Sequence, residues 1–91
     1  MVRGSMVAGA LAAGLVMTSC PVSAASCGGL WYARNAIYKE GGYCFNTPRG
    51  IRSFGNAGCQ YDDVADVPLS ARQRATVVEI QREERYLGCS R

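Results

Sequence analysis

After Cys27, side chains suited to one face of a packed helix recur at helical spacing. These side chains recur three and four residues apart: Leu30, Ala33, Arg34, Ile37 and Tyr38, with Trp31 on the flank. Because such positions share one face of a helix, the spacing predicts a helix from Gly29 to Glu40, which Gly41 and Gly42 end. The side chains we expect it to bury are Leu30, Ala33, Ile37 and part of Trp31.

A short second helix is predicted after this one. Thr47 is suited to cap a helix that starts at Pro48, since proline is tolerated at the first helical position. Ile51 and Phe54 then lie three residues apart, so we expect the helix to run from Pro48 to Phe54. From residue 56 to residue 68, glycine, proline and three aspartates interrupt any repeat, which predicts a loop.

The clearest helical pattern lies near the end of the chain. Ser70 and Gln73 fit a capping box, in which each side chain bonds the backbone amide of the other residue. The apolar stripe that follows consists of Val77, Ile80 and Leu87, supported by Ala71 and Val78. The charged face consists of Arg72, Arg74, Glu79, Arg82, Glu83 and Arg85. This pattern predicts a helix from Ala71 to Leu87, ended by Gly88.

Residues 1–24 are typical of a cleaved signal peptide. Arg3 supplies a positive charge, and the uncharged run from Met6 to Met17 is too short to span a bilayer. Its competing interpretation is a buried helix or a membrane anchor. Small residues favour cleavage after Ala24 or one residue later, so residues 25–91 are expected to form the mature domain, without a transmembrane segment. Cys20 lies in a loose match to a bacterial lipobox, but a lipid anchor there is the less favoured alternative because Met17 fits that motif poorly.

The mature domain keeps four cysteines, an even number, as a disulfide framework requires. A domain this short buries only about 60 per cent of its unfolded surface, so covalent links would contribute much of its stability. Of the three available pairings we favour Cys44 with Cys59, which closes a local loop, and Cys27 with Cys89, which joins the two ends. Zinc binding is disfavoured, because structural zinc sites use closely spaced cysteine pairs and the gaps here are long.

Two short motifs occupy the middle of the chain. They read Arg34-Asn35-Ala36-Ile37-Tyr38 and Gly42-Tyr43-Cys44-Phe45, and are followed by Phe54, Tyr61 and Leu69-Ser70. In these residues the mature domain resembles the YARHG domain of bacterial exported proteins. The name-giving motif departs from the family, because Tyr38-Lys39-Glu40-Gly41-Gly42 lacks its alanine, arginine and histidine, and we interpret the chain as a cysteine-bearing variant. The resemblance implies a small helical extracytoplasmic module without an established activity.

The catalytic residues of common hydrolases are missing from this sequence. It contains no histidine, which excludes the usual Ser-His and Cys-His nucleophiles and most metal-hydrolase sites. The alternative to a non-enzymatic domain is a small wall-glycan-acting enzyme whose paired carboxylates would be Glu40 with Asp62, Asp63 or Asp66. We favour a solvated helix end for Glu40 and turn-forming roles for the aspartates. Their spacing differs from that of a calcium loop, so neither a metal nor another cofactor is expected.

Four basic residues of the first two predicted helices are candidates for a binding surface: Arg34, Lys39, Arg49 and Arg52. On one face they could hold an anionic envelope polymer, for instance a wall polymer or lipopolysaccharide phosphate. The alternative is a structural role. In this interpretation the partly buried guanidinium of Arg34 binds loop carbonyls or an aspartate, and Asn35 caps a neighbouring turn. Loss of Arg3 with the signal peptide lowers the formal net charge from +3 to +2, so nucleic-acid binding is not expected.

The aromatic side chains of this region allow two interpretations. Trp31, Tyr32, Tyr38 and Tyr43 are more typical of a core than of a sugar-stacking surface. The sequence as a whole predicts a mainly α, three-helix domain that is held by two disulfides and is periplasmic or secreted. A binding or structural module is the favoured function, with an anionic envelope polymer or another envelope protein as its partner, and the sequence does not separate these two roles.

Overall fold

The computed structural model of the protein describes residues 25–90; the predicted signal peptide and Cys20 lie outside this range. The described helices are α1 (Cys27–Glu40), α2 (Pro48–Phe54), a 3-10 turn (Val64–Asp66) and α3 (Ala71–Leu87). The predicted mainly α, three-helix domain is therefore confirmed. No helix among residues 25–90 is long and apolar enough to cross a membrane.

Side-chain caps set where the helices begin. The Ser26 hydroxyl accepts a hydrogen bond from the Gly29 amide at 3.0 Å, and α1 consequently starts at Cys27, two residues before the predicted position. Thr47 caps α2 in the same way through the Gly50 amide at 3.1 Å. At α3 both bonds of the predicted capping box with Ser70 are present. The bounds of α2 and α3 agree with the prediction because these local signals are strong.

The predicted loop between residues 56 and 68 is ordered by hydrogen bonds to the segment before α2. Tyr43 and Tyr61 form an isolated parallel bridge, with the Cys44 amide donating to the Tyr61 carbonyl at 2.7 Å. The Asn56 side chain accepts from the Phe45 amide at 2.7 Å and donates to its carbonyl at 2.8 Å. This region therefore holds residues 43–45 in an extended conformation beside α1.

The buried apolar side chains of the described chain come from all parts of the fold: Tyr38, Phe45, Val67 and Val77. Helix α1 packs against both α2 and α3, and its buried positions are Asn35 and Tyr38. The buried face thus lies further round the helix than the apolar repeat predicted, and the prediction that Ala33 is buried is wrong. The half-buried residues of the predicted set are Leu30, Trp31 and Ile37.

The predicted stripe of α3 is only partly buried. Val77 is buried and Ile80 half-buried, whereas Val78 and Leu87 are exposed. The deepest position near the end of the helix is Glu84, a charged residue. The guanidinium of Arg34 in α1 faces this position, so a carboxylate packs here in place of an apolar side chain.

Both predicted disulfides are present. Cys27 pairs with Cys89 across 62 residues, and Cys44 pairs with Cys59 across 15 residues. The longer link joins the start of α1 to the residue that follows the glycine cap of α3. The shorter link joins the extended segment, residues 43–45, to the loop with which that segment forms hydrogen bonds. The shorter bond therefore reinforces backbone hydrogen bonds between these two segments, and the longer bond closes the ends of the domain.

Candidate functional site

A groove of about 330 Å³ runs between α1 and the extended segment that follows it. Trp31, Arg34 and Asn35 line it from α1, and residues of the segment 43–47 line it from the other side. We call it the α1 groove. Aromatic rings and polar side chains both reach its surface, and two of its residues, Arg34 and Asn35, come from the first of the motifs noted in the sequence.

Arg34 is held at the edge of this groove by Glu84 of α3. Its Nε donates to Oε1 at 2.9 Å and its Nη2 donates to Oε2 at 3.0 Å. The side chains are only 14% and 5% exposed, so the pair is largely screened from water. Arg34 is thus the partly buried arginine of the structural interpretation, but its partner is a glutamate of another helix and not a loop carbonyl or an aspartate.

Sequence reasoning missed Glu84, although a signal for it was available. Position 84 follows Val77 and Ile80 at the spacing of the apolar stripe, where a charge is out of place unless it has a partner. Arg34 likewise lies beside the apolar repeat of α1. Two opposite charges on the inner faces of two helices that pack together indicate an ion pair between them.

Asn35 is the most buried polar residue of the groove, with 8% of its surface exposed. Its Nδ2 donates to the Trp31 carbonyl one turn earlier at 2.9 Å, so the side chain bonds its own helix and does not cap a neighbouring turn. Among residues 25–90 this is the only hydrogen bond that its side chain makes. The amide oxygen Oδ1 therefore has no donor within the described part of the chain.

Trp31 lies beneath an arginine from α2. The Arg49 Cζ is 3.8 Å from the centre of the Trp31 ring, a cation–π distance. Phe54 extends the aromatic cluster, with ring centres 4.7 Å from Tyr32 and 5.0 Å from Phe45. The cluster grades from buried Phe45 to exposed Tyr32, so these rings serve both as core and as surface.

The four predicted basic residues occupy different environments. Arg34 is paired with Glu84, and the half-buried Lys39 donates to the Gly55 carbonyl at 3.4 Å. Arg49 and Arg52 are exposed on α2, where Arg49 covers Trp31. The fold thus places Arg49 over Trp31 and Arg34 in the groove that Trp31 also lines, while Lys39 lines a second groove, of about 290 Å³.

The predicted carboxylates are mostly solvated. Glu40 is exposed and accepts a long hydrogen bond from Gln73 at 3.4 Å; it is the only carboxylate among the residues that line the second groove. Asp63 caps the 3-10 turn by accepting from the Ala65 amide at 3.0 Å, which agrees with a turn-forming role. Asp62 and Asp66 are exposed. No cluster of three metal-ligating side chains occurs in the part of the chain that the structure describes.

The fold and the groove define a small α-helical domain, cross-linked by two disulfides, with an aromatic and basic surface. The family model of the YARHG domain matches residues 8–85. The chain therefore belongs to the YARHG domain family, which confirms the resemblance seen in its motifs. No curated protein and no solved structure matches the chain.

Proposed function

We propose that this YARHG domain is an exported binding module that holds an anionic polymer of the cell envelope or the extracellular space. The observation that carries the proposal is the position of Arg49, an exposed arginine whose Cζ lies 3.8 Å from the ring centre of Trp31, a residue that lines the α1 groove. A guanidinium in this position is preorganised by the ring below it and still offers donors to a carboxylate or phosphate. Arg52, one turn along α2, extends the same exposed positive surface.

The proposed location is the periplasm or the exterior of the cell, after cleavage behind Ala24. Two disulfides support it, since such bonds persist mainly in oxidising compartments. The signal-peptide pattern of residues 1–24 supports it independently. Intact mass spectrometry of protein recovered from a bacterial periplasm tests both features. A chain that begins at Ala25 and takes up four alkyl groups only after reduction is the expected product, whereas a lipid-bearing chain that begins at Cys20 overturns the cleavage site.

The binding surface that we propose is centred on α2. The four basic residues contribute unequally to it. Arg34 contributes little net charge, because Glu84 neutralises it at hydrogen-bonding distance. Lys39 donates a hydrogen bond to the Gly55 carbonyl and adds positive charge near the end of α1. Arg49 and Arg52 are left to make the direct contacts. The proposed role is binding and not catalysis.

Fluorescence titration tests this function directly, because Trp31 is the only tryptophan of the chain and lies under Arg49. With polygalacturonate as the probe, we expect a change in Trp31 emission and an affinity that falls as salt is added. The double variant Arg49→Ala/Arg52→Ala should weaken binding by about tenfold or more, since each exposed contact contributes on the order of 1 kcal/mol.

Arg72→Ala/Arg74→Ala is the matched control, because it removes the same charge from the exposed face of α3. Equal weakening by both double variants would show that only net charge matters and would overturn the proposed surface. Absence of binding to polygalacturonate and also to polyphosphate at low salt would overturn the function itself.

A further inference from the structure

We infer that the α1 groove is a sugar subsite, which takes one hydroxyl-bearing pyranose ring of an acidic glycan and leaves the acid group outside, against Arg49. This inference rests on the proposed function and names the class of polymer. Its starting point is unused hydrogen-bonding capacity among the residues that line the groove together with aromatic rings. Such a combination of a few polar groups in an aromatic-lined concavity is typical of small-ligand sites.

The first of the unused groups is the Asn35 amide oxygen. The residue is 8% exposed and lines the groove, and within residues 25–90 its oxygen has no donor. Buried polar atoms in folded proteins are nearly always hydrogen-bonded. A ligand hydroxyl in the groove would supply the missing donor, whereas a carboxylate or a phosphate diester, which only accepts, would not.

The second unused group belongs to Arg34. A guanidinium carries five N–H donors, and those that bond Glu84 come from Nε and Nη2. In the described range Nη1 makes no hydrogen bond, although Arg34 lines the groove. Because Glu84 already neutralises the charge, these donors suit a neutral oxygen better than a second anion. A sugar hydroxyl both donates and accepts, and so complements Asn35 and Arg34 together.

The walls and the size of the groove also fit a single ring. The half-buried rings of Trp31 and Tyr43 contribute aromatic surface, on which the C–H face of a pyranose packs well. Asn46 is exposed at the rim and adds a further amide. The volume of about 330 Å³ lies near the lower end of the range of about 300 to 1,000 Å³ for ligand sites. One sugar unit fits this space, while the rest of the polymer would lie across α2.

The test compares a polyanion that carries sugar rings with one that carries no ring and has the higher charge, so that charge alone would favour the second. Trigalacturonate has both acid groups and hydroxyl-bearing rings, whereas tripolyphosphate has only the charge. We expect trigalacturonate to bind about tenfold more tightly, since stacking and two hydrogen bonds are available only to it. In NMR spectra, trigalacturonate should shift the side-chain amide signals of Asn35 and the guanidinium signals of Arg34, and tripolyphosphate should shift neither.

A blocking variant assigns the effect to the groove. Asn46→Phe places an aromatic ring at the rim, and we expect it to weaken trigalacturonate binding by about tenfold without changing tripolyphosphate binding. Gln60→Phe is the matched control, since Gln60 is also exposed but lines the second groove. Asn46 makes no hydrogen bond among the described residues, so the substitution is expected to leave the fold intact, which circular dichroism would verify.

The outcomes separate the two proposals. Equal affinity for both anions, with no effect of Asn46→Phe and continued dependence on Arg49 and Arg52, would overturn the sugar subsite and leave the anion-binding function standing. Loss of affinity in Gln60→Phe as large as in Asn46→Phe would also overturn the subsite. Failure of both anions to bind at low salt would overturn the function and the subsite with it.

Discussion

Glu84 receives two hydrogen bonds from the guanidinium of Arg34, at 2.9 and 3.0 Å, although 50 residues separate them in the chain. The pair joins the inner faces of α1 and α3, where both side chains are largely buried. It also fixes the direction of Arg34 at the edge of the α1 groove. One ion pair therefore contributes both to the helix packing and to the geometry of the candidate site.

Removal of either member of this pair should destabilise the domain strongly. We expect Arg34→Ala and Glu84→Ala each to lower the free energy of unfolding by roughly 3–5 kcal/mol, because each leaves a buried charge without its partner. The double variant Arg34→Met/Glu84→Leu should lose less than either single variant, since it removes both charges and keeps apolar volume. Urea denaturation measures all three. A single variant as stable as the parent would contradict the structural role of Arg34.

The two disulfides should contribute unequally to stability. In the chain-entropy model the loop closed by Cys44 and Cys59 is worth about 3 kcal/mol and the one closed by Cys27 and Cys89 about 4 kcal/mol. We therefore expect Cys27→Ser/Cys89→Ser to lower the midpoint of thermal unfolding more than Cys44→Ser/Cys59→Ser does. Reducing agent should have little further effect on the contribution of the bond already removed. An unchanged midpoint in the first variant would mean that the long link adds no stability.

Gly50 is required by the packing of Phe45 against α2. A Cβ at this buried position would lie 2.7 Å from Cδ1 of Phe45, closer than real contacts allow. We expect Gly50→Ala to destabilise the domain by about 1–3 kcal/mol, the usual cost of overpacking. Gly28→Ala is the control, since a Cβ there meets nothing within 4 Å. It should leave stability unchanged or slightly raised, because alanine is the better helix former. Equal effects of the two substitutions would disprove the packing argument.

Gly41, which ends α1, packs closely against a buried side chain. A Cβ at Gly41 would lie 2.5 Å from Cγ1 of Val67, which is buried. We expect both Gly41→His and Gly41→Ala to destabilise the domain, the alanine by about 1–3 kcal/mol. In a double-mutant cycle Val67→Ala should recover part of the loss from Gly41→Ala. Strict additivity of the two substitutions would contradict a direct clash.

The sequence was sufficient for the parts of the fold that local chemistry decides. The first turns of α2 and α3 are capped by the hydroxyls of Thr47 and Ser70, each of which accepts a hydrogen bond from the amide three residues later. These caps can be recognised in the sequence, so the starts of both helices follow from them. The pairing of Cys27 with Cys89 followed from the position of the residues at the two ends of the domain. The start of α1 was missed because the cap at Ser26 was not considered.

Contacts between distant segments were not predictable in the same way. The bridge between Tyr43 and Tyr61 forms only when the loop folds back on the segment before α2. The spacing of apolar residues within a helix does not predict such a contact. The burial of Glu84 and Asn35 was missed because only apolar side chains were counted on the inner face of each helix. Both residues belong to the site or support it. The candidate groove therefore emerged only when the helices were in place.

The Cys27–Cys89 bond gives the domain an unusual response to mechanical load. It joins the first turn of α1 to the chain just beyond α3, so that nearly all of the described residues lie inside one covalent ring. Tension applied through the chain on either side would pass from Cys27 to Cys89 across the sulfur atoms. The helices and the α1 groove would bear almost none of it. A force that separates α1 from α3 in the reduced protein would therefore leave a ligand bound in the groove of the disulfide-linked protein.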